Sequence, residues 1–332
     1  MASTRIRSAH PHVTTFADVL HGRDPAAPAD VAARHHAWAD QGRFIEIGPG
    51  REHRRVCWAG LSRFGSIKLA APAFSVWVQV RGSTQVRARE GAFTLHAGDW
   101  IAFDADSAPE LQCGRGGLTL GLLLPSELFN SPLEHGLFVG KGRMAARHLA
   151  VALRLWRVPM RQLPAHITCP DEMLKRSLRP LALHLAGVQE NAIAGLGHCP
   201  GYSLTRKRRV FNRMQRAHLY LEGNAHRIVR ISELAEITNY SIWYVSKTFH
   251  TLYGEGVQAV ASRLRIERAC ELLATTAMDI TEVAESCGFD NACSFARAFR
   301  ARSGTTATEF RLRHRAARRA RLRFELGDSA RL

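Results

Sequence analysis

Two stretches of this chain repeat each other about fifty residues apart, and the repeat commits the C-terminal third to paired helical units. Leu234-Ala235-Glu236, Tyr240 and Val245-Ser246-Lys247-Thr248-Phe249 recur as Val283-Ala284-Glu285, Phe289 and Phe295-Ala296-Arg297-Ala298-Phe299. Each copy sets a short helix against a longer one across a turn, Thr238 to Ser241 in the first and Cys287 to Asp290 in the second. Both longer helices end near a glycine, Gly254 and Gly304. That is helix-turn-helix architecture twice over. Helical periodicity sends Ile242, Val245, Phe249 and Leu252 to the core and leaves Trp243, Ser246, Lys247 and His250 outward. In the second copy Asn291, Ala292, Ser294, Arg297 and Arg300 are the outward set. Ser232 and Ser241 read as N-caps, and Asp279 with Glu282 and Thr306 with Glu309 as capping boxes. Between the copies, Val257, Val260, Ala261 and Leu264 form one apolar stripe and Ile266, Ala269, Cys270 and Leu273 a second. One helix with both stripes packs against both halves.

The N-terminal texture is different. From Arg43 to Pro125, short apolar or alternating runs recur at about ten-residue spacing, including Phe44 to Ile47, Phe74 to Val80 and Leu118 to Leu124. About eight strands predict a sandwich or jelly-roll barrel. From Lys141 to Gly187 the period turns helical, with Pro159 to Pro164 expected to separate the two arms of an αα-hairpin. The expected organisation is an arm over 1–40, a barrel over 41–125, a helical region over 126–188, a linker over 189–206, paired helical units over 207–315 and a basic tail over 316–332.

Composition excludes several classes. The 332 residues are 46% hydrophobic and 23% charged, unlike a disordered chain. The longest apolar run, Leu118 to Leu124, is far too short to span a membrane, and no secretory signal precedes it. A cytoplasmic protein is expected. Seven cysteines without a CxxC pair argue against a disulfide framework or zinc site. No catalytic triad, P-loop or GxGxxG occurs, so neither catalysis nor a cofactor is expected. The charge is +17, and Arg206 to Leu332 holds 23 basic against 13 acidic residues. That balance favours a polyanionic partner.

Residues 207–315 resemble the DNA-binding domain of the AraC/XylS family of transcription regulators. The likeness runs through Leu234-Ala235, Tyr240-Ser241, Phe249, Gly254, Arg265-Ile266, Ala269, Leu272-Leu273, Ile280, Val283-Ala284, Gly288-Phe289, Phe295, Phe299, Gly304 and Glu309-Phe310-Arg311. Two departures are Ala307, where the family usually has proline, and Gly256-Val257 at the start of the bridging helix. The resemblance implies two recognition helices in successive major-groove segments of double-stranded DNA. By position, Trp243, Ser246 and Lys247 face base edges from the first helix, and Asn291, Ala292, Cys293 and Arg297 from the second. Ser241 and Arg300 are expected on phosphates. The family also implies an effector-responsive activator, a homodimer formed through the helical hairpin, and contact with RNA polymerase.

The N-terminal half resembles the family's cupin-like sensor through Val80-Arg81-Gly82-Ser83 and Leu95-His96-Ala97-Gly98-Asp99-Trp100. Metal cupins carry a His-x-His pair and a further histidine. Here His53 and His96 are isolated and Pro109 falls near the third position, so no metal is expected. Trp58, Trp77, Gln79 and Trp100 are the expected effector contacts. The fold class is thus α+β with two domains: a cupin-like jelly-roll barrel with a helical hairpin, then an all-α double helix-turn-helix. Two other functions fit the same residues less well: an architectural, nonspecific DNA-binding protein, and a cupin enzyme with a DNA-targeting domain.

Overall fold

The computed structural model describes residues 36–50, 56–125, 136–162, 170–189 and 194–314. The expected arm up to residue 35, His53, Pro164 and the tail 316–332 lie outside them. A β-rich N-terminal region precedes an all-helical C-terminal one.

The strands are β1 (His36–Ala39), β2 (Phe44–Ile47), β3 (Trp58–Ser62), β4 (Ser66–Leu69), β5 (Ala73–Arg81), β6 (Ser83–Ala88), β7 (Gly91–His96), β8 (Asp99–Phe103), β9 (Glu110–Cys113), β10 (Leu118–Pro125) and β11 (Gly140–Arg143). They form two sheets, ordered β1-β3-β10-β5-β8-β11 and β2-β4-β9-β6-β7. Alternation decides the faces of the second sheet. Thr84, Val86, Phe93 and Leu95 are buried, while Gln85, Arg87, Thr94 and His96 between them are exposed. In the first sheet β5 is buried continuously from Ala73 to Gln79, as befits a central strand covered on both faces. Ile67, Val86, Leu95 and Leu111 of one sheet share a core with Leu61, Val76, Leu120 and Leu122 of the other.

The expected barrel is not closed among the described residues. Neither sheet's edge strands pair with those of the other. Both β7 and β11, each an edge, abut a long helix instead.

After β11 come α1 (Ala146–Gln162) and α2 (Asp171–Val188), packed on each other. The hairpin differs from expectation at its bend, since α1 continues through Pro159. Proline removes one donor from the ladder, yet the turn around it is held by packing and Pro159 itself is buried. The helical region holds α3 (Leu204–Gly223), α4 (Ile231–Thr238), α5 (Ile242–Tyr253), α6 (Val257–Thr275), α7 (Ile280–Ser286) and α8 (Ala292–Ser303), with a closing helix over 307–314. It has two cores. Val257, Val260 and Leu264 of α6 join the first, with Val245 and Phe249 of α5. Ile266, Ala269 and Leu273 join the second, with Phe295 and Phe299 of α8. The two-stripe reading of α6 describes this division.

The four expected effector contacts lie mostly in packed interior. Trp77 is fully buried, its Nε1 donates to Ser75 Oγ at 3.1 Å, and its ring fills the space where a Cβ on Gly121 would fall, 2.5 Å away. Gln79 is spent internally: its amide donates to the Arg81 carbonyl and its oxygen accepts from Thr119 Oγ1. Trp58 is 3% exposed. Trp100 borders a cavity of about 220 Å³ that lies between β11 and helices α3 and α5.

Candidate nucleic-acid interface

Each helix-turn-helix is built by the same local chemistry. In the first, α4 stops because Asn239 adopts a left-handed conformation, φ 54°, which asparagine tolerates better than most residues. Ser241 then caps α5, accepting from the Tyr244 N–H at 3.2 Å, and Gly254 ends it at φ 68°. In the second, Gly288 takes the left-handed turn at φ 71°, Asn291 Oδ1 accepts from the Ser294 N–H at 2.8 Å, and Gly304 ends α8 at φ 71°. The Asp279–Glu282 and Thr306–Glu309 boxes both form, each with reciprocal bonds. The cap expected at Ser232 does not form. Helix α4 starts two residues earlier than that cap requires, at Ile231, and the Glu233 carboxylate takes the Arg230 N–H.

Glu233 also fixes α4 to the end of α3. It accepts from both terminal nitrogens of Arg227 and from Tyr220 OH. The Arg227 hydrogen bonds hold its carboxyl well below the usual range, down to about 2. A depressed carboxyl pKa stabilises the fold above the unfolded value and loses that contribution as pH falls. Melting temperature should therefore decline between about pH 4.5 and 2, and Glu233→Gln should flatten that limb. An unchanged acid limb would show that Glu233 is not its source.

The recognition faces are open. Val245 and Phe249 are buried, whereas Trp243 is 68% exposed and Ser246, Lys247 and His250 are exposed around it. Lys247 Nζ sits 4.9 Å from the centre of the Trp243 ring, a cation–π contact that holds both side chains at the surface. Ile242, expected in the core, is 49% exposed. As the first residue of its helix it has no preceding turn of α5 to lie over. In α8, Ala292, Cys293, Arg297 and Arg300 are exposed, and Phe295 and Phe299 are buried.

The fifty-residue register pairs Lys247 with Arg297, Trp243 with Cys293, and Ser241 with Asn291. Asn291 is thus the second cap, its oxygen already committed to a backbone donor. It stands at the helix N-terminus as Ser241 does.

One basic feature escaped the sequence reading. Arg206, Arg209 and Arg213 lie three and four residues apart on one face of α3, beside Tyr240 and hence beside the start of α5. Burial raises the Tyr240 phenol above its usual value, against the pull of Arg213, Arg209 and Arg206. Arg213 lies 5.4 Å from the Tyr240 ring centre and donates to the Thr238 carbonyl at the end of α4. The signal was present as helical spacing inside a basic run, which net charge alone conceals.

The family model for a helix-turn-helix domain matches residues 234–313. An uncharacterized HTH-type transcriptional regulator of Staphylococcus aureus (strain MSSA476) is 36% identical over 92 residues, 28% of this chain and 12% of that protein. The HTH-type transcriptional activator AarP of Providencia stuartii is 28% identical over 94 residues, 28% of this chain and 70% of that one. The crystal structure of a probable AraC family transcriptional regulator from Rhodopseudomonas palustris CGA009 is similar at 32% identity. That match covers 31% of this chain and 97% of that one, with a TM-score of 0.30. The chain therefore spans only about an eighth of the length of the staphylococcal relative.

Proposed function

We infer that this chain, whose C-terminal unit is a helix-turn-helix domain of the AraC type, regulates transcription by reading two successive major-groove segments of double-stranded DNA. The observation that carries the reading is the repeated geometry itself. Helices α5 and α8 are capped alike, turn uncovered faces outward, and are held by one shared helix. At about 1.5 Å per residue the 19 residues of α6 run roughly 28 Å, comparable with one turn of B-form DNA at about 34 Å.

Trp243, Ser246 and Lys247 read bases from α5. Arg297 is the chief reader on α8, with Ala292 and Cys293 offering only apolar contact. Ser241, Asn291 and Arg300 meet phosphates, as do the helix N-termini. Arg206 and Arg209 extend the backbone contact along α3. Replacing both by alanine should reduce the slope of log affinity against log salt by about two, close to 0.9 per phosphate lost. An unchanged slope would remove them from the interface.

The β-rich region serves as a sensor of a small-molecule effector. Its strand order, β3-β10-β5-β8 facing β4-β9-β6-β7, supports a cupin-like jelly roll. The hairpin serves as a dimer contact. Val151 and Val158, seven residues apart on α1, are each 40% exposed, and Met173 and Leu183 on α2 about half exposed. Val151→Asp with Val158→Asp should yield a monomer by sedimentation, and a persisting dimer would place the contact elsewhere. In this reading the protein is an effector-responsive activator working beside a promoter, in contact with RNA polymerase.

Selection of bound duplexes from a random pool, with the full-length protein at near-physiological salt, tests the reading. The expected product is a bipartite motif with elements about ten base pairs apart. Salt-sensitive binding with no enriched motif would reduce the protein to nonspecific DNA binding.

A further inference from the structure

Helix α3 does not belong to the DNA-binding unit alone. One face closes the first helical core through Val210, Phe211, Met214, Ala217 and Leu221, while Leu219 lies in the core of the β-sandwich. Traffic runs the other way too, since Phe138, just ahead of β11, packs edge-on against Phe211 with ring centres 5.1 Å apart.

At the centre of this contact lies a charged pair out of water. Glu90, in the turn between β6 and β7, is completely buried, and Arg216 on α3 has a side chain only 7% exposed. Arg216 Nε donates to Glu90 Oε1 at 2.7 Å, and the same oxygen accepts from Ser107 Oγ. Arg216 Nη1 reaches Asp106 at 2.8 Å, and Asp106 also holds Arg89. Asn224, which caps α3, donates to the Glu90 carbonyl at 2.9 Å.

The backbones beneath are in contact. A Cβ on Gly223 would fall 2.5 Å from the Glu90 carbonyl oxygen, and one on Gly91 would fall 2.5 Å from the Gly223 carbonyl. By contrast, Glu267, Arg268 and Glu271 of α6, where the second half begins, are separated from Ala92 and Thr94 of β7 by a cleft of about 520 Å³. The β-sandwich grips the first helix-turn-helix and stands off from the second.

We propose that Glu90 and Arg216 are positioning residues for DNA recognition. Their ion pair locks α3, and through its shared core the first recognition helix, to the β-sandwich, so that the sandwich sets where each chain's reading head lies along the duplex. A buried ion pair is a poor device for stability, because desolvation cancels much of the attraction. Its value is directional: the guanidinium fork donates from Nε to Glu90 and from Nη1 to Asp106, so both carboxylates fix its plane. The lock itself stands on the contacts above, and its consequence for DNA rests on the regulator reading.

Two experiments separate these claims. Spin labels at exposed Gln85 and His250 report the arrangement of sandwich and first half without DNA. The full-length protein should give one narrow distance distribution, and Arg216→Met a broad one. Arg216→Lys, which keeps a charge toward Glu90 but lacks the fork that also reaches Asp106, should narrow the distribution only in part. Because Arg216 points away from the first helical core, Met leaves that core intact. Should Arg216→Met fail to fold, Glu90→Gln, nearly isosteric, is expected to broaden the distribution as well. A narrow distribution in both variants would overturn the lock.

The second experiment uses duplexes with two copies of the selected site. For the unaltered protein, inserting five base pairs between the copies should weaken paired binding roughly 5- to 150-fold, the usual range of coupling between sites. Arg216→Met should keep its affinity for one copy and lose the dependence on spacing. Retained dependence would overturn the positioning role. Failure of the unaltered protein to bind any selected site would instead sink the regulator reading and leave the label distances to decide the lock.

Discussion

Replacing Arg297 by alanine should lower affinity for the preferred DNA by about 1–3 kcal/mol, roughly 5- to 150-fold, and relax base preference at one position. The size of the effect follows from the company Arg297 keeps. On α5, a tryptophan, a serine and a lysine share the exposed face. On α8, the exposed neighbours Ala292, Cys293 and Ala296 have no paired donors to offer a base edge. Arg297 presents a planar fork, the shape that matches the two acceptors of guanine, while Arg300 and Arg302 lie in the last turn of the helix. Lys247, its counterpart fifty residues earlier, rests on the Trp243 ring and offers a point charge. Lys247→Ala should weaken binding more evenly across sequences. Affinities of Arg297→Ala for all four base pairs at each position provide the check. Unchanged preference would remove Arg297 as a reader.

Gly288→Val should damage the second half of the reading unit more than the first. Gly288 has φ +71°, a conformation a β-branched residue adopts only under strain of roughly 1–3 kcal/mol. Space is missing as well, because an added Cβ would lie 2.7 Å from the Arg227 Cα and 3.0 Å from the His226 carbonyl oxygen. Backbone atoms cannot swing aside as a flexible side chain does. The turn is also tied to α6, since Arg265 Nη1 donates to the Gly288 carbonyl at 3.0 Å and its guanidinium stacks 4.5 Å from the Phe289 ring centre. Shifting the turn therefore disturbs the core around Phe289, Phe295 and Phe299. Amide exchange should rise most across α7 and α8 and less in α4, whose Arg227 anchor borders the clash, with α5 the least affected. Uniform protection in both halves would show that the turn accommodates the side chain.

The helical third was legible because its signals are local. Caps lie three residues from their partners, stripes recur every three or four residues, and the repeat announces itself. Ile242 misled for an equally local reason: periodicity marks a face without marking where the helix begins. Pro159 misled because propensity gave way to packing. The sandwich was legible as alternation, although open edges depend on what lies beside β7 and β11. The contact between Glu90 and Arg216 could not be read at all. They are 126 residues apart, and a glutamate in a turn next to glycine looks like a solvated loop. The cap at Asn291 was legible only by keeping the fifty-residue register, which pairs it with Ser241.

Because α6 gives its first stripe to one core and its second to the other, the angular phase of the two reading heads is counted in residues. One residue inserted between Leu264 and Ile266 would turn the second half by about 100° and advance it by about 1.5 Å. On a duplex turning once in about 10.5 base pairs, that rotation equals some three base pairs of twist for almost no travel along the axis. Such an insertion cannot be met by a neighbouring register of the same operator. Relatives able to share binding sites with this chain should keep the length of this helix even where its surface residues differ.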